Sequence, residues 1–463
     1  MTDTIWLPDL SGTRESKYIV LVQSMRGAIR SGVLKPGYKM PPVRDMAWKL
    51  GITPGTVARA YKIAAEEGLV DSAVGRGTFV TGNYVADPTP EPLIAMVSPD
   101  AHNFRGVRVP DVGQDAVIRK AMGALSGQTT NKYIDYPTSQ TDVAARRGVV
   151  EWIGPDRIGR FDEDDVVLGL GAQNSVIMAL QAILHEPNPV ILTEELAYPG
   201  VRHAARLLRA QLIGVEMDGD GLRPDRLEEA LRKHGGQVLL TSAESHSPTT
   251  IRTTLARKQE IARVAQTYQL QIIEDDCHCI TRPEEPGYRG ICPERAWFIS
   301  SLTKTVSAAL RFGYAVAPQG QAATARQVAQ SSFYGLPQPM LDLCAELMQS
   351  GEAEALRRKV QDITLVRVRD AVNVLGKWDI TWRPDVPFIW LKLPAGWRGS
   401  SYARACEALG IQVKAADEFA LPDGAAPNAM RISLNPPHPR PDDLLAFAKM
   451  SELLAQPPVN VDF

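Results

Sequence analysis

From about residue 166 the chain alternates short apolar runs with amphipathic helical patterns, and this alternation restricts the fold more than any other feature. The runs at 166–170, 190–193, 238–241, 270–274, 296–300 and 314–317 are four or five residues long and rich in Val, Leu and Ile. Such runs suit strands buried on both faces. The pattern at 254–268 between two of them is helical. Strands alternating with helices predict an α/β domain whose mostly parallel sheet is covered on both faces. From about Phe333 long helical patterns precede a strand-like segment at 387–393, which predicts a smaller α+β C-terminal subdomain.

The first 82 residues have a different pattern. A helix is predicted over 18–31, with Leu21, Val22, Met25 and Ile29 on one side. Gly and Pro break the chain at 32–37, and Pro41-Pro42 opens a second helix over 43–50 that Gly51 ends. Thr53 caps a third helix that begins at Pro54. In it Val57, Ala60, Tyr61 and Ala64 repeat at core spacing, which leaves Thr56, Arg59 and Lys62 facing outward. Gly68 stops the helix, and residues 69–80 read as a two-stranded wing around Gly75-Arg76-Gly77. Three helices and a wing make an N-terminal winged helix-turn-helix, an α+β module.

Charge supports an anionic partner for this module. Residues 1–82 hold 11 Lys+Arg against 7 Asp+Glu, whereas the rest of the chain holds 40 against 46. Asymmetry of this kind points to an anion at the basic end, although an excess of this size also fits an ordinary solvated surface. Prolines 88, 90, 92, 99 and 110 mark residues 83–110 as a semi-rigid linker, part of it packed on the second domain. The expected domains are 1–82, the linker 83–110, and 111–463.

Composition removes several function classes. Hydrophobic residues make up 44% and charged residues 22%, the balance of a water-soluble globular chain. No apolar run is long enough to cross a bilayer, so no membrane partner is expected. The start Met-Thr-Asp-Thr-Ile-Trp lacks the features of a secretory signal. Five cysteines, an odd number in so long a chain, fit a reducing compartment, and the chain reads as cytoplasmic.

The chemistry concentrates at Ser300-Ser301-Leu302-Thr303-Lys304, followed by Arg311-Phe312-Gly313-Tyr314. A lysine among hydroxyls, with an arginine seven residues on, suits a Schiff base beside a bound phosphate. Gly171-Ala172-Gln173-Asn174 opens a helix after a strand, where free N–H groups attract phosphate. Glu274-Asp275-Asp276 closes another strand. Cys277-His278-Cys279, with Cys292, offers metal-ligand types, but ligands one residue apart on a strand point to opposite sides, and no metal is expected.

Residues 17–80 resemble the GntR-type winged helix, on Pro41-Pro42-Val43-Arg44-Asp45-Met46-Ala47, Thr53-Pro54-Gly55-Thr56-Val57-Ala58-Arg59-Ala60-Tyr61, Glu67-Gly68-Leu69 and Gly75-Arg76-Gly77-Thr78-Phe79-Val80. The resemblance implies double-stranded DNA as partner, with Arg44 at phosphate, Thr53, Thr56 and Arg59 at the major groove, and Arg76 at the wing tip. Pro54 stands where many family members have arginine. That shifts base reading to Arg59, or to backbone contacts and DNA shape.

The rest of the chain resembles fold-type I aminotransferases, and the whole is similar to the MocR subfamily of GntR regulators. The resemblance implies pyridoxal 5'-phosphate as cofactor, with Lys304 as the Schiff-base lysine. Ser301, Thr303, Arg311, Ala172 and Gln173 would hold its phosphate. Asp275 would face the pyridine nitrogen, with Asp276 as the neighbouring alternative, and Tyr198 would stack on the ring. Arg431, in Asn428-Ala429-Met430-Arg431-Ile432-Ser433, matches the arginine that clamps a carboxylate. A homodimer is implied as well. Three departures bear on chemistry: Cys277 replaces the usual tyrosine, Ser245-His246-Ser247-Pro248-Thr249-Thr250 departs from the usual Pro-Thr-Gly stretch, and Ser139 replaces a glycine. They imply a pocket that forms an aldimine but is poorly tuned for turnover. The expected function is a regulator sensing an amine, an amino acid or the cofactor itself. The alternative is a working aminotransferase with an accessory DNA head.

Overall fold

A computed structural model describes residues 6–8, 10, 16–30, 33–66, 69–73, 77–80, 101–127, 132–421, 424, 426–435 and 440–456. They fall into two compact units, divided between residues 95 and 96. Of the span read as a linker, 83–100 lie outside the described residues and 101–110 belong to the second unit.

In the first unit, helices Lys17–Arg30, Val43–Leu50 and Pro54–Glu66 precede the antiparallel hairpin of Val70–Ala73 with Gly77–Val80. The second helix ends because Gly51 turns left-handed at φ 62°, which sends its N–H back to the Ala47 and Trp48 carbonyls. Thr53 Oγ accepts the Thr56 N–H at 3.3 Å and caps the third helix. Val57, Ala60, Tyr61 and Ala64 are buried against Leu21, Met25 and Met46, as their spacing predicts. The Tyr61 hydroxyl donates to the Pro41 carbonyl at 2.8 Å, so the buried phenol is satisfied.

The second unit is built on a seven-stranded sheet in the order Val166–Gly169, Gly313–Val316, Ala296–Ser301, Gln271–Asp275, Val238–Thr241, Val190–Glu194, Gln211–Val215. Only Gly313–Val316 runs antiparallel to its neighbours. The edge strand Gln211–Val215 escapes the sequence reading because it is half exposed and interrupted by Gly214. Helices cover both faces, which accounts for strands that are apolar throughout.

The C-terminal portion differs from expectation. Helix Gln338–Gln349 and the start of Glu352–Leu375 do not belong to the small subdomain; Leu341, Leu347 and Leu356 pack in the large core with Phe298 and Leu302. The small core begins midway along the 24-residue helix, at Val368, Ala371 and Leu375. It lies against a four-stranded antiparallel sheet of Ile380–Thr381, Phe388–Lys392, Ala429–Ser433 and Lys414–Ala415. Residues before the large sheet complete it: His102–Asn103 pairs in parallel with Ile411–Gln412, and Phe104 enters the core. Among the described residues no helix is long and apolar enough to cross a membrane.

Candidate functional site

The carboxyl ends of the parallel strands bring the chemistry together, where α/β sheets place their ligands. Glu194, Asp275 and Ser301 are the last residues of three strands, and Lys304 follows three residues after Ser301. A narrow pocket is lined by Glu194, Tyr198, His246, Ser247 and Asp275. Of the two adjacent carboxylates, that of Asp276 is forked by Arg157, Nη2 to Oδ1 at 2.8 Å. Asp275 accepts the Cys277 N–H at 3.1 Å and has no described cation within 4.0 Å. Burial raises its pKa. A half-buried carboxylate without a described cation suits a cationic ring nitrogen.

Lys304 Nζ donates to the Val107 carbonyl at 2.5 Å. Burial pulls its pKa from 10.5 to about 8; Arg108 and Arg431 add to the fall, and Cys277 and Asp275 oppose it. The neutral amine is the nucleophile toward an aldehyde. Capture of pyridoxal phosphate by the apoprotein is therefore expected to accelerate as pH rises through about 8, with no further tenfold gains toward 10.5. Stopped-flow absorbance across pH 6.5–10 checks this; a rate that keeps climbing in proportion to hydroxide above pH 9 contradicts it.

The phosphate candidates form a cradle. Ala172 and Gln173 are the first residues of helix Ala172–Ile183, and no side chain caps its free N–H groups. The Gln173 side chain donates to the Gly200 carbonyl at 2.9 Å, so its backbone N–H is what faces a ligand. Arg311 donates to the Leu170 carbonyl at 2.7 Å and has no carboxylate partner among the described residues. Gly313 lets the strand reach this turn: a Cβ there would lie 2.3 Å from the Gly171 carbonyl carbon. Ser301 Oγ accepts the Thr303 N–H at 3.3 Å. These groups, with Lys304 and Asp275, fit pyridoxal phosphate.

Arg431 sits on the central strand of the small sheet, between Phe388 and Phe419 at 5.4 and 4.8 Å. Nη1 donates to Ser247 Oγ at 2.9 Å and Nη2 to the Arg105 carbonyl at 2.6 Å, while Nε is buried without a partner. Burial lowers its pKa to about 10, against the pull of Glu418. Tyr198 lies edge-on to His278 at 6.3 Å, and burial raises its phenol to about 12.

Of the three departures, Cys277 and Ser247 are at the site and Ser139 is not joined to it by any described contact. The Ser139 carbonyl is instead held by Arg146 at 2.6 Å. Cys277, His278 and Cys279 follow the strand in a turn rather than on it. Among the described residues no three His, Cys, Asp or Glu side chains could hold a metal. Sequence reasoning missed Glu194, which accepts from Thr241, from Thr193 at 3.2 Å and from the Ser242 N–H at 3.2 Å. Its position ending an apolar run, like that of Asp275, was the available signal. It also missed Arg105 to Arg108, read as linker.

In the first unit Arg44 and Arg59 are exposed, and the Arg59 guanidinium lies 4.1 Å over the Tyr18 ring. Thr53 and Thr56 share a 2.9 Å hydroxyl contact at the helix start. Arg76 lies outside the described residues.

A sheet of this order, carrying this lysine and arginine set, defines an aminotransferase-type domain. Residues 108–439 match the family of class I and II aminotransferases, and residues 17–80 match the gntR family of bacterial regulatory proteins. The uncharacterized HTH-type transcriptional regulator YdeF of Bacillus subtilis is 25% identical over 93% of each chain. The HTH-type pyridoxine biosynthesis transcriptional regulator PdxR of Corynebacterium glutamicum is 24% identical over 74% of each. An archaeal alanine:glyoxylate aminotransferase superposes with a TM-score of 0.68 at 20% identity, covering 77% of this chain and 91% of its own. The chain belongs to the class I and II aminotransferase family and, with its GntR head, is a MocR-type HTH transcriptional regulator.

Proposed function

We propose that the protein is a pyridoxal-phosphate-dependent regulator that acts in the cytoplasm as a homodimer. It binds double-stranded DNA and responds to an amine, an amino acid or the cofactor itself. Bound at the site, pyridoxal phosphate supplies an aldehyde that can be linked covalently to Lys304 or to an incoming amine. One observation carries the regulatory reading. Three consecutive carbonyls, of Arg105, Gly106 and Val107, accept from Arg431, from Ser433 at 2.9 Å and from Lys304. An amino acid that engages Arg431 and displaces Lys304 competes for two of these three bonds. The strip they hold continues along the chain toward the DNA-binding head. An effector that loosens or remakes this grip has unequal affinity for two arrangements, which is what a switch requires. The exposed group Tyr133, Ile134, Tyr136 and Tyr334 supports self-association, since an apolar patch of this kind favours a second protein surface.

Turnover is the second reading, favoured by the complete set Lys304, Asp275, Tyr198 and Arg431. Cys277 weighs against it: a thiol is a poor hydrogen-bond donor where tyrosine is usual, and burial raises its pKa well above 9. The deciding experiment measures both outputs on cofactor-loaded protein. Amine-dependent change in binding to the upstream DNA of its own gene, without steady transamination, supports the regulator; turnover without a change in DNA binding defeats it.

Arg59 tests the DNA arm. Stacked on Tyr18, its guanidinium keeps an edge free to fork onto guanine. Arg59→Ala is expected to weaken specific binding by about 1–3 kcal/mol and to leave non-specific binding nearly unchanged. Fluorescence anisotropy with operator and scrambled duplexes measures both; equal losses on the two would exclude base reading by Arg59.

A further inference from the structure

Two arginines from the small sheet and its loops hold one segment of the large domain. Arg431, on strand Ala429–Ser433, donates to Ser247 Oγ at 2.9 Å. Arg383, in the loop between strands Ile380–Thr381 and Phe388–Lys392, donates through Nη1 to the Glu244 carbonyl at 2.5 Å. Glu244 and Ser247 stand three residues apart, in the segment that follows strand Val238–Thr241. The two arginines differ in what else they meet. Arg383 is forked onto Asp385, Nε to Oδ1 at 3.0 Å and Nη2 to Oδ2 at 2.6 Å, and lies 3.5 Å from the Glu244 carboxylate. Asp385 in turn meets Arg252 of the large domain at 3.2 Å. Arg383 is thus neutralised where it stands. No described carboxylate lies within 4.0 Å of Arg431, so an incoming anion gains a charge-assisted bond there and not at Arg383.

An effector carboxylate on Arg431 competes for the bond to Ser247. The segment then loses one of its two arginine bonds to the small sheet and keeps the other. We propose that Arg383 is a positioning residue for the carboxylate clamp. It keeps the small sheet seated on residues 244–247, so that Arg431 holds its distance from Lys304 when it releases Ser247. This rests on the proposed effector site. A ligand that spans Arg431 and Lys304 gains from their fixed spacing, because no affinity is lost to ordering them. An amine without a carboxylate does not span them and gains nothing.

Acid and amine pairs isolate this effect. The full-length protein loaded with pyridoxal phosphate is titrated with L-alanine against ethylamine, L-norleucine against pentylamine, and L-phenylalanine against 2-phenylethylamine, with the visible band as the signal. Each pair shares a side chain and differs in the carboxylate. The wild type is expected to prefer at least one acid over its amine. Arg383→Gln is expected to cut that preference about tenfold and to leave the amine's affinity within about twofold. Arg383→Lys is expected to restore part of the preference. In an Arg431→Gln background, where the clamp is gone, Arg383→Gln is expected to change the ratio no further. Amide hydrogen exchange on the ligand-free protein reads the seating directly, with exchange over 244–250 expected to rise about tenfold in Arg383→Gln. A preference unchanged by Arg383→Gln, an equal loss for acid and amine, or unchanged exchange over 244–250 overturns the assignment. A wild type that prefers no acid over its amine is a different failure: it removes the effector reading, and the clamp with it, even where exchange shows that Arg383 seats the segment.

Discussion

Lys304→Ala is expected to give a protein that shows no band of covalently held pyridoxal phosphate and whose DNA binding no amine alters. The substitution removes the amine that, among the described residues, the structure sets near Asp275 at the strand ends. It leaves Arg311, Asp275 and the helix start in place, so the cofactor's phosphate and ring keep non-covalent contacts and a weak association remains that shows the band of the free aldehyde and not that of the covalently held cofactor. Unfolding does not explain such a result. The Lys304 pKa is about 8 in the folded chain against 10.5 in the free side chain. A group whose folded pKa is depressed below its unfolded value opposes folding while protonated, at pH below about 8, and this opposition fades as pH rises from there toward 10.5. Alanine removes that opposition at neutral pH and loses one hydrogen bond to the Val107 carbonyl, worth about 1 kcal/mol. The removed opposition is at least as large as the lost bond, so the melting temperature of the cofactor-free variant is not expected to fall well below that of the wild type. Absorbance, thermal melts and amine-dependent anisotropy on one preparation check the three statements together. A retained band of covalently held cofactor, or a retained response to amines, ends the case for covalent sensing at this lysine.

Lys304, Arg311 and Asp275 were readable because the features that mark them are local. A strand end followed by hydroxyls and lysine is contiguous, and so is the glycine turn at 171. Arg431 was readable in identity but not in partnership, since Ser247 and Arg105 approach it from distant parts of the chain. Asp275 and Asp276 could not be separated by sequence: which of two adjacent carboxylates is free depends on Arg157, more than a hundred residues away. The strip 105–108 was hidden for a different reason. It lacks periodicity and lies in the proline-bearing span 83–110, which looks like linker, whereas the long-range pairing of His102–Asn103 with Ile411–Gln412 and the bonds from Arg431, Ser433 and Lys304 fix it over the site. The subdomain boundary failed because one continuous helix, Glu352–Leu375, serves two cores, and a helical period carries no mark of which core each turn enters.

The largest stability effect is expected at Arg157. Its guanidinium is buried, forks onto Asp276, reaches Glu274 at 3.2 Å and stands 3.8 Å from Glu244. Lys258, fully buried, reaches Glu244 at 3.6 Å, and Arg383 approaches the same carboxylate at 3.5 Å from the loop between two strands of the small sheet. Arg252 also reaches Glu244, at 2.5 Å, so three buried carboxylates share these cations, and among the described residues Arg157 alone serves Asp276. Arg157→Met fits the space but leaves Asp276 without a countercharge and Glu274 with only the Tyr288 N–H at 2.8 Å. Breaking a buried pair on one side costs about 3–5 kcal/mol, because the remaining charge has lost both water and partner. Burial already holds the Asp276 carboxyl up at about 7 against the pull of Arg157, and loss of that cation raises it further. Stability from such a raised group is present at low pH and is lost as pH rises through the folded pKa, so the deficit is expected to be larger at pH 8 than at pH 6. Urea denaturation at the two values measures this. A cost below about 1 kcal/mol at both would show that the carboxylates relax to water or share the remaining cations. Because Asp276 is bonded in the chain to Asp275, the variant also reports on the site: slackened support beneath Asp275 weakens cofactor binding even in the molecules that remain folded.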